Sequence, residues 1–425
     1  MLSILKRINR ISRSRILFVS KRNVHGGGAS VYIHWPYCSK LCSYCNFNKY
    51  VKQKIDHKRY IDNFRNSLHK HHFRMVSCLI REWETLAKTY SLSHPITIFF
   101  GGGTPSLMEV SNIEELVHRI SNGGSVEVSL EANPCDLLAG KIQSLRDAGV
   151  TRLSIGVQAL NDKDLSFLNR NHNVNQVWMS LEESLRTFPK STSADLIFGR
   201  PGQTVASFCS ELGQLASLGL PHISLYQLTV ERGTKLHKQV ARGEVKLPDE
   251  DIMADMYIAG RETMAGAGLT RYEVSNFSQA GAECDHNMGY WSGRQYLGLG
   301  PGAHSRLGYG DKRQALVTIP HPETWMAEVE ARGHGVRRTR DIPIIDGLKE
   351  LLATGLRTEA GVREADWDRA CAGRVNMSDL LRKMDQHQQQ ELGVRCSDGC
   401  LRVMPERLCV LDNILPHLFN KLDEI

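Results

Sequence analysis

The sequence predicts an α/β fold, a partial (β/α)6 barrel with a smaller C-terminal α+β cap. Three observations carry this prediction. Short β-rich apolar runs alternate with longer helical patterns from residue 30 onward. Several of the helical stretches end in glycine, as a helix C-terminus does. Most of the strand-like runs lead into a polar or glycine motif, and barrel chemistry sits at C-terminal strand ends. With 425 residues, 41% hydrophobic and 23% charged, the chain has ample apolar material for a large core, which excludes wholesale disorder.

The N-terminal segment comes first. The formal charge of +7 arises from 53 Lys and Arg against 46 Asp and Glu. Lys6, Arg7, Arg10, Arg13, Arg15, Lys21 and Arg22 hold the whole excess, the first acid is Asp56, and the remaining chain balances its bases and acids. A neutral body argues against a nucleic-acid partner. The basic leader, with Leu and Ile at helical intervals and no acid, has the profile of a mitochondrial transit peptide, and the glycines at 26–28 read as a hinge, so that leader and linker occupy residues 1–29. No run reaches the roughly 20 apolar residues of a spanning helix, so no membrane span is expected.

Candidate strands cover 31–35, 96–100, 126–130, 152–157, 194–198 and 222–228, with helices at 112–120, 136–148, 174–188 and 207–218, and the barrel is expected over 30–245. Residues 246–340 read as an extension of it: a helix at 248–267, a strand at 270–274 and a glycine- and aromatic-rich segment at 284–304. Residues 341–425 read as helices plus a hairpin at 394–403, a winged-helix-like cap without the basic face of a DNA reader. The stretch 66–78, with His69, His71 and His72, reads as an exposed insertion that interrupts a helix, in preference to a metal site.

Eleven cysteines in a long chain addressed to a reducing compartment favour ligation over a disulfide framework. Cys78, Cys135, Cys209, Cys284, Cys371 and Cys409 stand alone, as small buried apolar residues do, and Cys396 and Cys400 flank the turn of a hairpin. Cys38, Cys42 and Cys45 form a C-x3-C-x2-C loop directly after the first strand. Three thiolates on one short loop suit a cubic iron–sulfur cluster with one iron left open. A zinc-stabilised scaffold with His34 as fourth ligand is the alternative.

The run from Tyr32-Ile-His-Trp-Pro-Tyr-Cys38 to Cys45-Asn-Phe47 resembles the radical S-adenosylmethionine (SAM) superfamily. Within it, the chain is similar to the HemW-like haem chaperones, relatives of the oxygen-independent coproporphyrinogen III dehydrogenases, from about residue 31 to 304 and more weakly beyond. The resemblance implies that Cys38, Cys42 and Cys45 bind a 4Fe-4S cluster, that its open iron takes SAM, and that reductive cleavage of SAM yields a radical, chemistry belonging to the cofactor. It places Tyr32 and Tyr44 beside SAM. The Gly101-Gly102-Gly103-Thr104-Pro105 run lets bare backbone approach a charged ligand, although a tight turn explains it equally well. By resemblance, Gly102, Gly103 and Thr104 contact SAM. Glu131, at the end of the third strand, reads on its own as a helix cap or an acceptor for ribose or ammonium, and by resemblance as a SAM contact. Gln158, Arg170 and Asp195 match positions that line a second SAM site in the dehydrogenases. Arg200 departs from the apolar residue usual in that Gly-Leu-Pro turn, which puts the local shape in question.

Two features separate chaperone from dehydrogenase. Phe47 stands where the dehydrogenases resemble C-x3-C-x2-C-x-C in carrying a fourth Cys, and the leader replaces their substrate-gripping arm. The second is His286-Asn-Met-Gly-Tyr-Trp291. A histidine among aromatics is commonly a packed, hydrogen-bonded residue, but the resemblance makes His286 the axial ligand of haem, with His304 in reserve. The expectation is a mitochondrial haem chaperone with a cluster and SAM, passing haem to haem-accepting proteins, without coproporphyrinogen dehydrogenase activity.

Overall fold

The computed structural model describes residues 27–51, 61–137, 140–384 and 386–425, without the side chains of 61–71 and 386. The expected transit peptide falls outside these residues up to position 26. Six strands form in the expected order: β1 (Gly28–Trp35), β2 (His94–Gly102), β3 (Glu127–Ala132), β4 (Arg152–Gln158), β5 (Thr192–Phe198) and β6 (His222–Gln227). Each lies parallel to the next. The connecting helices are amphipathic: Val110–Ser121 buries Ile113, Leu116, Val117 and Ile120, the spacing of one helical face. Capping boxes at Asn173/Gln176 and Thr204/Ser207 start two others.

Six further strands complete the sheet: β7 (Thr270–Arg271), β8 (Asn276–Ser278), β9 (Tyr296–Leu299), β10 (His304–Leu307), β11 (Gln314–Thr318) and β12 (Val336–Asp341). The order is β12-β11-β10-β9-β1-β2-β3-β4-β5-β6-β8-β7. Strand β9 pairs parallel with β1, Val31 beside Leu297, so the parallel run has seven strands where sequence predicted six. β10, β11 and β12 continue antiparallel. The strand expected at 270–274 is shorter, ending at Arg271 as β7, which pairs antiparallel with β8.

Parallel strands covered on both faces are usually apolar throughout. Here only one face is. Ile98, Phe100, Val128, Leu130, Leu153, Ile155, Ala194, Leu196, Ile223 and Leu225 belong to the main core. The alternate residues Ser129, Glu131, Ser154, Asp195 and Ser224 line a cavity of about 190 Å³. Period-two alternation therefore builds a polar hollow inside the barrel.

The stretch 66–78 does not interrupt a helix: Ile61–Thr89 runs through it unbroken, burying Met75, Val76, Cys78 and Leu79. His72 packs its ring 5.0 Å from Trp35 and 5.8 Å from Tyr37. His69 and His71 have no described side chains. Farther along the same helix, the buried Glu82 carboxylate accepts from the Gly300 and Gly335 amides, both at 2.8 Å, and from Trp325 Nε1 at 3.1 Å. Burial pushes this carboxyl up to about 7 against the pull of those donors.

Arg200, the departure in the turn after β5, is fully buried. Its guanidinium bridges Asp164 Oδ2 at 2.9 Å and the Glu211 carboxylate, which also accepts from the Leu160 amide at 3.0 Å. The charge is a crosslink among three elements. Replacing Arg200 with Ala strands two carboxylates in the interior, and denaturant unfolding is expected to register a loss of about 3–5 kcal/mol.

Beyond β12 a second apolar cluster gathers Leu348, Leu352, Trp367, Leu380, Leu401 and Leu418. The hairpin of Val394–Ser397 and Cys400–Val403 forms around Asp398 (φ 54) and Gly399 (φ 67), two left-handed residues that suit a tight hairpin turn. Glu350 ties this part to the sheet through Arg306 at 3.1 Å and Arg313 at 3.7 Å.

Candidate functional site

The cysteine loop leaves the C-terminal end of β1, where Trp35-Pro36-Tyr37 crosses the end of β2. Gly103 N donates to Trp35 O at 2.7 Å and Thr104 N to Tyr37 O at 2.9 Å. A Cβ at Gly103 would meet the backbone at Trp35, Pro36 and Tyr37 at 2.8 Å, and one at Gly102 (φ 107) would meet the His34 ring at 2.6 Å. These glycines are thus demanded by close backbone crossing and a left-handed bend. Thr104 opposes the effect of burial on the Cys38 thiol, so the glycine run sets the surroundings of the first cysteine.

Cys38, Cys42 and Cys45 are free and half-buried. Burial raises the Cys38 and Cys45 thiols, and the Arg170 charge opposes it at both. Arg170 Nη1 donates to Cys42 Sγ at 3.2 Å and to the Tyr44 hydroxyl at 3.4 Å. Its Nη2 reaches Asn133 Oδ1, and Gly156 O at 3.2 Å. Arg170 Nε is buried with no protein partner among the described residues. A guanidinium held against the thiol row is suited to stabilise an anionic sulfur-ligated group.

The donor set fits an iron–sulfur cluster: three thiols on one loop, an adjacent cation and an open side. It does not fit the closed zinc site with His34. That ring is buried, its Nε2 lies 2.7 Å from Asn48 O and its Nδ1 3.2 Å from the Tyr32 hydroxyl. Among the described residues, no three His, Cys, Asp or Glu side chains are grouped around one ion.

Below the loop, Tyr32, Glu131 and Asp195 line the barrel cavity. Glu131 Oε2 accepts from Gly102 N at 3.3 Å. Burial and then the Asp195 charge push the Glu131 carboxyl up to about 7. Asp195 accepts from Ser154 Oγ at 3.0 Å, and burial raises its carboxyl as well. Gln158, at the end of β4, has φ 67, a left-handed conformation rare for a side-chain-bearing residue, and its amide flanks Gly156 beside Arg170. The geometry therefore connects the Cys loop, Tyr32, Tyr44, Gly102, Gly103, Thr104, Glu131, Gln158, Arg170 and Asp195 around one mouth. Two carboxylates and bare glycine backbone can receive an ammonium, a ribose and a carboxylate.

His286 lines the same cavity as Tyr32, Glu131 and Asp195, at its far end with Asn287 and Tyr290. It begins the helix Asp285–Trp291, whose N-terminal amides at Asp285 and His286 donate to Glu127 at 3.2 Å. This places the His-Asn-x-x-Tyr-Trp segment under the barrel, beside Thr97, five residues or roughly 17 Å down β2 from Gly102. The ring is 1% exposed, stacked on Phe99 at 4.9 Å. Nδ1 is 2.8 Å from Thr97 Oγ1 and Nε2 3.0 Å from the Tyr290 hydroxyl. Both nitrogens are engaged, so the axial-ligand role expected from sequence calls for Tyr290 to release Nε2.

Sequence reasoning missed the rest of that floor. Ser193 Oγ lies 2.7 Å from His222 Nδ1, Tyr272 OH lies 2.8 Å from His222 Nε2, and Arg152 Nη1 donates to Ala282 O at 2.9 Å. The signal was present as polar residues at every second position of runs that are otherwise core strands.

Residues 32–211 match the model of the radical SAM superfamily. The chain is 38% identical to the mitochondrial radical S-adenosyl methionine domain-containing protein 1 of Danio rerio, over 94% of this chain and 88% of that protein. It is 34% identical to the heme chaperone HemW of Bacillus subtilis, over 78% of this chain and 84% of that protein. In fold it matches coproporphyrinogen III oxidase (HemN) of Escherichia coli with a TM-score of 0.72 at 21% identity, covering 93% and 90% of the two chains. Joined to the cysteine loop and glycine crossing at the barrel mouth, these likenesses show that the chain belongs to the radical SAM superfamily, alongside domain-containing protein 1 and HemW.

Proposed function

We propose that this chain is a haem-binding radical SAM protein that works as a haem chaperone in mitochondria. Cys38, Cys42 and Cys45 hold a 4Fe-4S cluster, while Tyr32, Tyr44, Gly102, Gly103, Thr104 and Glu131 surround SAM, and Gln158, Arg170 and Asp195 extend that site. When bound, the cluster supplies the electron for SAM chemistry. The protein's own residues orient and screen: Arg170 faces the thiol row, Thr104 opposes the effect of burial on Cys38, and Glu131 receives positive charge. The observation that carries the reading is the set of three half-buried free thiols on one short loop hung on the glycine crossing. Relatives named heme chaperone and mitochondrial support the cargo and the compartment, and Phe47 in place of a fourth cysteine supports the chaperone over the dehydrogenase.

Anaerobic reconstitution with iron and sulfide tests it. The full chain is expected to gain cluster absorbance and to bind SAM and haem, and single replacement of Cys38, Cys42 or Cys45 by Ala is expected to abolish the cluster bands. Stoichiometric zinc without cluster bands overturns the cofactor assignment. Loss of propionate carboxylates from coproporphyrinogen III in an anaerobic assay with dithionite overturns the chaperone reading.

A further inference from the structure

Four arginines are buried among the described residues, and three of them are paired. Arg200 meets Asp164 and Glu211, Arg271 meets Glu359 at 3.6 Å, and Arg313 meets Glu350 at 3.7 Å. Arg152, which opens β4 and is 4% exposed, forms no ion pair with a carboxylate among the described residues. Its Nη1 donates to Ala282 O at 2.9 Å, while Nη2 is buried with no hydrogen-bond partner. An unpaired cation in a protein interior is costly, and it calls for an anion from outside the chain.

Arg152 lines the barrel cavity. The register sets it opposite Ser129, two residues, or roughly 7 Å along the strand, below Ser154, which faces Glu131. The acids that line the cavity are engaged elsewhere: Glu131 Oε2 accepts from Gly102 N, and Asp195 is turned to Ser154 Oγ. Nearby His222 is held neutral by burial and then by the Arg152 charge. A second buried group in the same cavity lacks a partner. Asn276 turns Nδ2 to the Glu273 carboxylate, which leaves its buried Oδ1 as an unused acceptor. The cavity, about 190 Å³, holds several water-sized groups. Water satisfies an acceptor but brings no charge for Arg152. One free guanidinium nitrogen matches a monoanion; a phosphate, with three or four acceptor oxygens, needs more donors. Chloride cannot donate to Asn276.

We propose that the floor of the barrel cavity binds a small hydroxycarboxylate, its carboxylate on Arg152 Nη2 and its hydroxyl donating to Asn276 Oδ1. Neither residue belongs to the set assigned to the cluster, SAM or haem, and the site does not depend on those assignments.

Calorimetric titration of the full chain with L-lactate, before and after cluster reconstitution, tests the site. The parent is expected to bind lactate, and lactamide, which keeps the hydroxyl without the charge, is expected to bind more weakly by roughly tenfold or more. Arg152→Met is expected to weaken lactate by roughly tenfold or more with the far-UV circular dichroism unchanged. Because no carboxylate is stranded, its denaturant midpoint without lactate is expected to be no lower than the parent's. Asn276→Ala is expected to weaken lactate but not acetate, which has no hydroxyl. Equal binding of lactate and lactamide, or of lactate by parent and Arg152→Met, overturns the proposal, as does a parent that binds neither lactate nor glycolate. Displacement of lactate by an equal concentration of sodium chloride means an adventitious anion only and overturns it. Loss of SAM or haem affinity in Arg152→Met gives the arginine to those ligands and overturns it as well. The lactamide comparison uses the parent chain alone, so it decides even if Arg152→Met does not fold, and its failure leaves the haem-chaperone reading intact.

Discussion

Alanine at position 103 will strip most of the cluster from the reconstituted protein. The added methyl carbon would stand 2.8 Å from the Trp35 and Tyr37 carbonyl oxygens and the Pro36 carbonyl carbon, all backbone atoms that cannot rotate away. Relief requires the two chain segments to separate, which breaks the 2.7 Å and 2.9 Å hydrogen bonds donated by the Gly103 and Thr104 N–H groups and drags Cys38 out of line. A cost of about 2–3 kcal/mol is typical of such overpacking. Iron and sulfide per chain are expected to fall by more than half, with a lowered denaturant midpoint. Gly213→Ala is the control: it lies inside helix Val205–Ser217 with no atom within 4 Å of an added Cβ, and should be neutral or stabilising by about 0.5–1 kcal/mol. Equal cluster content in Gly103→Ala and Gly213→Ala would refute the idea that this crossing sets the cysteine loop.

Glu131→Gln is expected to stabilise the unloaded protein at alkaline pH while weakening SAM. Burial and Asp195 hold the native carboxyl at about 7, above the value near 4.5 of an unburied glutamate. Below that unfolded value both states carry the proton and nothing is lost. As pH rises from about 4.5 to 7 the unfolded chain ionises first, and native stability falls; above about 7 the full cost is present, about 3 kcal/mol for one such carboxyl. Glutamine removes this slope. It also removes the negative charge for the SAM ammonium, and SAM affinity should drop by roughly tenfold or more. Thermal melts from pH 5 to 8, paired with calorimetric SAM titration, read both arms; parallel pH slopes in parent and variant would contradict the assignment.

Much of this site was legible because its determinants are local. The cysteine spacing, the glycine run and the carboxylates at strand ends sit in short windows, and it was the resemblance to the radical SAM superfamily that gave the glycines and carboxylates their roles. Partnerships across long sequence distances were not legible. Nothing around His286 discloses that Thr97 and Phe99 meet its ring from β2, although Tyr290 of its own motif hydrogen-bonds it. Arg200 looked like a disturbance because Asp164 and Glu211 come from separate helices. The histidines at 66–78 looked like an insertion because polar residues there obscure a helix face that Met75, Val76 and Leu79 continue. The antiparallel β10–β12 extension was invisible to a reading that looked for βα units.

The placement of β9 beside β1 also bears on how the chain acquires its fold. Strand β1 is made first, yet one of its two edges waits for Tyr296–Leu299, and the Glu82 carboxylate waits for the Gly300 and Gly335 amides. A chain emerging N-terminus first holds an unfinished edge and an unsatisfied buried acid until residue 335 has appeared, a state prone to mispairing. The span 32–211 that carries the superfamily signature is therefore poorly suited to folding by itself, and chaperone protection during synthesis matters most between the appearance of β1 and that of β9.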